Sequence, residues 1–90
     1  MAVPSSFKLG GLTWKVEQVS TLPGCMGCCD NSKAVISLLK SLPAHVKEQT
    51  FYHELVHAIL FSMGKPQDQH DEQFTDAFAT FLQQYLKTKK

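Results

Sequence analysis

His53-Glu54-Leu55-Val56-His57 sets two imidazoles four residues apart with a carboxylate between them. On an α-helix, positions i and i+4 stand on one face about 40° apart, so both rings can point at one ion. Zinc accepts neutral imidazole nitrogen at about 2.0–2.1 Å. Glu54 is rotated by about 100° from His53, so it can flank a bound metal and take a proton from activated water without being a ligand. The pattern points to metal-assisted hydrolysis. Two surface histidines around a helix glutamate would spell the same five letters, so the neighbours matter. Leu55, Ile59, Ser62 and Met63 fall opposite the histidines, which predicts a packing face at the back of the helix and leaves the histidine side for a site.

Two histidines do not hold a catalytic zinc; a third protein ligand is needed, with the fourth position left to water. The next segment, His70-Asp71-Glu72-Gln73-Phe74-Thr75-Asp76, offers carboxylates and another imidazole. Together with the HExxH helix it resembles the gluzincin metallopeptidases, in particular the small ImmA/IrrE-type and phage-encoded members. There the HExxH helix is followed by a helix with a Glu ligand in a context like E-x-x-A-N/D-x-F-A-x-x-L. Glu72, Asp76, Phe78, Ala79 and Leu82 match this context, and Thr75 stands where a small Ala is usual.

The resemblance covers roughly residues 50–86. It implies a single minimal zincin-like metallopeptidase domain over residues 1–90 that acts on a protein or peptide substrate. Zn2+ would be held by His53, His57 and Glu72, with Glu54 as general base. Asp76 would hydrogen-bond a ligand imidazole and so fix its tautomer and orientation. His70-x-x-x-Phe74 also resembles the His-Gly-x-x-Phe third-ligand motif of SprT-type metalloproteases, which keeps His70 as an alternative metal ligand.

These residues need elements to carry them. Residues 7–20 alternate, with Leu12, Trp14 and Val16 on one face and Gly10-Gly11 as a turn before them, a strand or hairpin pattern. Residues 22–32, rich in Pro, Gly, Cys, Asp and Asn, read as a loop. Residues 34–39 read as a further strand. It is either an interior strand or the edge against which an extended substrate is laid by main-chain hydrogen bonds. From Pro43 the period becomes helical and runs to Met63, stopping at Gly64 with Pro66 beyond. A polar connector, residues 65–69, leads to a second helix over roughly residues 70–87. Phe74, Ala77, Phe78, Phe81, Leu82 and Tyr85 recur on it at spacings of three and four, which predicts a packing face. Glu72 and Asp76 lie on the opposite side of that helix, which asks for two buried faces or a bend in the first turn. The expected fold class is α+β: a small antiparallel sheet followed by two helices, with HExxH on the first.

Ninety residues make one thin-cored domain, and a 43% hydrophobic content argues against disorder. No apolar run approaches the roughly 20 residues of a membrane helix. The opening residues, 1–6, lack the charged and apolar regions of a signal peptide, so the expected location is cytoplasmic, the host cytoplasm for a phage-encoded protein. A net charge of +1 with no dense basic patch does not suggest nucleic acid as the main partner. Oligomeric state is not legible, and Lys87, Lys89 and Lys90 read as cations at the negative end of a helix. Cys25, Cys28 and Cys29 have half the spacing of a zinc site but no second pair to close it, and read best as a turn with small buried thiols. Tyr52 and Tyr85 are both available as oxyanion donors, and nothing in the spacing selects either. The competing function is a non-catalytic zinc-binding interaction or regulatory module whose metal supports the thin core. Glu54 argues for the enzyme, since a structural site has no use for a base.

Overall fold

The computed structural model describes residues 3–66 and 69–90. Residues 1–2 and the middle of the polar connector, residues 67–68, lie outside them. The chain runs β1 (Ser6–Leu9), β2 (Leu12–Val19), β3 (Gly27–Asp30), β4 (Val35–Leu39), α1 (Ala44–Ser62) and α2 (Glu72–Thr88). It is an α+β fold, a four-stranded sheet followed by two helices. The sheet order is β1-β2-β4-β3.

Gly10 and Gly11, with φ of 59° and 80°, make the two-residue turn between β1 and β2, whose mirror-image backbone demands positive φ at both positions. The sheet is mixed where an antiparallel one was expected, because β2 pairs with β4 in parallel. Its cause is β3, a strand within the stretch read as a loop. The chain leaves β2, runs back along β3 as an outer strand and turns into β4, which enters between them. Asp30 secures that turn, its Oδ1 accepting from the Ser32 and Lys33 backbone N–H groups at 3.1 Å and from the Ser32 hydroxyl at 2.8 Å. No periodicity announces β3, since all four of its residues are half-buried. Residues 34–39 accordingly form an interior strand, with Ile36 and Leu38 fully buried, and the edge falls to β3.

The helix α1 ends as its sequence predicts, with Gly64 at φ 91° after the Met63 cap. It packs against β3, β4 and α2. Its buried residues therefore do not follow one stripe: Glu48, Phe51, Tyr52, Val56, Ala58 and Leu60 are inside, together with His57. The expected back face is only partly realised. Leu55 and Ile59 line a shallow apolar groove with Phe7, Leu9 and Leu86, whereas Ser62 and Met63 are exposed. The core joins Trp14, Ile36 and Leu38 of the sheet to Phe51, Tyr52 and Val56 of α1 and Ala79 of α2.

The helix α2 is capped by Asp71, whose carboxylate accepts from the N–H groups of Gln73 and Phe74 at 2.9 and 3.2 Å. Its orientation reverses the packing expectation. The helix meets α1 through Thr75 and Ala79, and turns Phe74, Phe78, Phe81 and Tyr85 outward at 48–70% exposure. There are not two buried faces. The face with small residues allows close helix approach and brings the still exposed Glu72 and Asp76 beside the histidines of α1, which leaves the aromatic stripe on the far side.

The two helices are clamped at the far end by Glu48, 2% exposed, which accepts from Gln83 Nε2 at 2.7 Å and pairs with Lys87 Nζ at 3.1 Å. Burial works to raise its pKa, but the Gln83 and Lys87 hydrogen bonds outweigh burial and hold the carboxyl below its usual range. Such a group contributes stability above its unfolded pKa of about 4.3, lost as pH falls through the lower folded value. Lys87→Met, which withdraws a cation from this buried carboxylate, should cost about 2 kcal/mol, more than Glu48→Gln, which removes the charge itself. Urea denaturation at pH 7 measures both. The deficit of Lys87→Met should shrink below about pH 4, as the Glu48 carboxyl protonates.

Candidate metal centre

One turn of α1 presents His53 and His57 to the start of α2, where Glu72 lies between them. Glu72 Oε2 is 3.1 Å from His53 Nε2, and Glu72 Oε1 is 2.9 Å from His57 Nε2. One ligating atom from each of the three lies within 4.8 Å of the others. That spacing is consistent with a site for a metal ion.

The second nitrogen of each ring is anchored. His53 Nδ1 is 3.4 Å from Asp76 Oδ1, a carboxylate that can only accept. His57 Nδ1 is 2.6 Å from His70 Nδ1, and His70 Nε2 donates to the Lys65 carbonyl at 2.9 Å. That carbonyl assigns the proton of a neutral His70 to Nε2, so its Nδ1 accepts from the Nδ1–H of His57. Burial holds the His57 pKa below its ordinary value, keeping the ring neutral. Each ring thus turns its Nε2 towards a Glu72 oxygen. An imidazole N–H facing a carboxylate oxygen makes a hydrogen bond at this distance, and the same nitrogens and oxygen, once the proton is displaced, are the donor set of a divalent metal ion. His70 stands behind His57, outside the converging group.

A cavity of about 380 Å³ opens beside His53, lined also by Glu54 and Asp76 on the helices, by Cys25 and Met26 just before β3 and by Gly27 at its start. Burial pushes the Glu54 carboxyl up; the nearby His53 works against this and Glu72 adds to it. A carboxyl in such surroundings is a better proton acceptor than one in water. Gly27 explains how β3 comes so close. A Cβ there would lie 2.7 Å from the Thr50 side chain, so only glycine lets the strand lie against α1 beside the site. Gly27 carried no signal in the sequence beyond its place in a Cys-rich stretch.

Over residues 5–89 the sequence matches the family model described as SprT-like. The chain belongs to the SprT-like family. No curated protein and no solved structure matches it significantly. The SprT-like assignment carries a zinc-metallopeptidase-like fold, in keeping with an HExxH helix beside a small sheet.

Other expected participants of this SprT-like chain lie apart from the cavity. Tyr52 is buried in the aromatic core against Phe51, and Tyr85 is exposed near the end of α2. Cys28 and Cys29 belong to β3 rather than to a turn. Burial, reinforced by neighbouring negative charge including Glu54, raises both thiols, Cys29 to about 12, so they stay protonated and unreactive. Among the described residues no cysteine joins the metal-ligating group, and no helix is long and apolar enough to cross a membrane.

Proposed function

We propose that this SprT-like protein is a zinc-dependent peptidase in which His53, His57 and Glu72 hold the ion and Glu54 is the general base. The convergence of His53 Nε2, His57 Nε2 and the Glu72 carboxylate, with Glu54 at the adjoining cavity wall, carries this reading. Zinc bound there would lower the pKa of its water and polarise the scissile carbonyl. Glu54, half-buried at the cavity wall, accepts the proton of the attacking water and delivers it to the leaving amine. Asp76 holds His53, and the Lys65 carbonyl holds His57 through His70, so each ring keeps Nε2 directed at the ion. The family's His-type motif and the ImmA/IrrE-like Glu-type motif nominate different third ligands. We favour Glu72, because its carboxylate reaches both histidines while His70 is occupied by His57 and Lys65.

The outer edge of β3 supports a mode of substrate binding. Among the described residues it has no strand partner, and its first residue lines the cavity beside Glu54. An extended peptide can add to this edge by main-chain hydrogen bonds, bringing its backbone to the ion.

The test is cleavage of an unfolded protein or a fluorogenic peptide library by zinc-loaded protein, abolished by chelator and restored by zinc. Absence of cleavage with every substrate, in protein shown to hold one zinc, would favour the non-catalytic zinc module. A binding test accompanies it. An ion at 1,000 times its dissociation constant adds about 4 kcal/mol, and 1 kcal/mol shifts the midpoint of so small a domain by about 4–8 °C. Chelation should therefore lower Tm by at least about 15 °C. A Tm indifferent to chelator would remove the ion from between the helices.

A further inference from the structure

The aromatic stripe of α2 takes no part in the core or in the metal centre. Phe74, Phe78, Phe81 and Tyr85 are 48, 48, 70 and 63% exposed. Their spacing of four, three and four is the a/d seam of a paired helix, where knobs from one helix fill holes in another. Phe74 and Phe78 already pack edge to face, with ring centroids 5.6 Å apart. The residues beside the stripe on its outer side, Gln73, Ala77, Thr80 and Gln84, are uncharged, so covering the stripe buries no charge.

We propose that this face is the seam of a two-fold dimer, in which α2 lies antiparallel against α2 of a second copy. The sequence is symmetric for this pairing. A two-fold axis between Ala79 and Thr80 sets Phe78 against Phe81 and Phe74 against Tyr85, each contact occurring twice as an isologous interface requires. Charge selects the direction. Glu72 and Asp76 face α1 and Lys87 pairs with Glu48, which leaves Asp71, exposed at the N-cap of α2, and Lys89 and Lys90, exposed just beyond its C-terminal end, to meet a second copy. Antiparallel pairing puts acid near base and opposes the helix dipoles, whereas parallel pairing puts like charges together.

The area sets the strength. At 150–250 Å² per aromatic side chain, the four rings offer roughly 450 Å² of exposed surface per copy. The rings of two copies together offer roughly 900 Å², the size of a weak, transient interface rather than the 1,200–2,000 Å² of a standard one. The dimer should form in the micromolar range.

Sedimentation equilibrium of the full chain between about 5 and 500 μM tests this. The apparent mass should rise with concentration from 10.1 kDa towards twice that value. Phe78→Lys with Phe81→Lys should stay monomeric throughout, with unchanged circular dichroism and Tm, because both side chains are exposed. Lys89→Glu with Lys90→Glu should weaken association several-fold at low salt and much less at high salt. A wild-type chain monomeric at every concentration would overturn the proposal and leave the stripe to another partner. A dimer surviving the double lysine substitution would place the interface elsewhere. Association unchanged by the charge reversal would overturn the antiparallel arrangement.

Discussion

Glu72→Ala should weaken zinc binding by more than 100-fold, whereas His70→Ala should weaken it by about tenfold. The two residues differ by only two positions, yet the helix start separates their tasks. Glu72 opens α2 and meets both His53 and His57 at about 3 Å with its two oxygens. His70 precedes the Asp71 cap and touches only the far nitrogen of His57. A partner acting through a ligand costs roughly 10- to 100-fold when removed, and loss of a ligand costs more. His70→Ala leaves His57 with its helix position and burial but without its tautomer anchor, which places it at the low end of that range. Competition titration against a chromophoric chelator at constant pH measures both affinities. The reverse order would make His70 the third ligand, as its SprT-type motif implies, and would leave His53, Glu54 and His57 in their roles.

Glu54→Gln should abolish turnover and spare the metal. The isosteric amide fills the same volume at the cavity wall but accepts no proton at neutral pH, so the loss belongs to general-base catalysis, typically 10²- to 10⁴-fold. Zinc stoichiometry should stay at one per chain, since Glu54 lies outside the converging ligand atoms. Elemental analysis beside single-turnover cleavage of a peptide separates the two effects. Loss of zinc in the variant would mean that Glu54 is a ligand or supports one. Full activity in it would place the base elsewhere.

The stripe on α2 shows where periodicity stops being informative. Phe74, Phe78, Phe81 and Tyr85 are the largest apolar residues of that helix, and a hydrophobic pattern assigns them to the core. The assignment fails because periodicity reports that a helix has an apolar face without saying what the face meets. Here the small Thr75 and Ala79 let α2 approach α1 on the side that brings Glu72 to His53 and His57, which leaves the large aromatic residues outside. The α1 helix misleads similarly. Wedged against strands and α2, it buries residues around much of its circumference, so the stripe opposite the histidines does not describe its core.

What the sequence determined by itself was local chemistry: the four-residue spacing that aligns His53 with His57, the carboxylate of Glu54 beside them, the glycine turn at Gly10-Gly11, the stop at Gly64, and the one-turn relation of Glu72 to Asp76. Each is a property of a helix or turn within a few residues, where backbone geometry leaves little choice. Tertiary structure alone decided what depends on partners distant in the chain. It moved the sheet edge from residues 34–39 to β3, because a strand exists by pairing and Cys28 and Cys29 pair with Ser37 and Ile36 without any periodicity of their own. It drew β3 against Thr50 through the missing side chain of Gly27. It also placed His70 behind His57 and Glu72 between the histidines, a division that spacing alone left open because the two stand two residues apart at the entry to α2 and only the packing of α2 on α1 sets one of them between the rings.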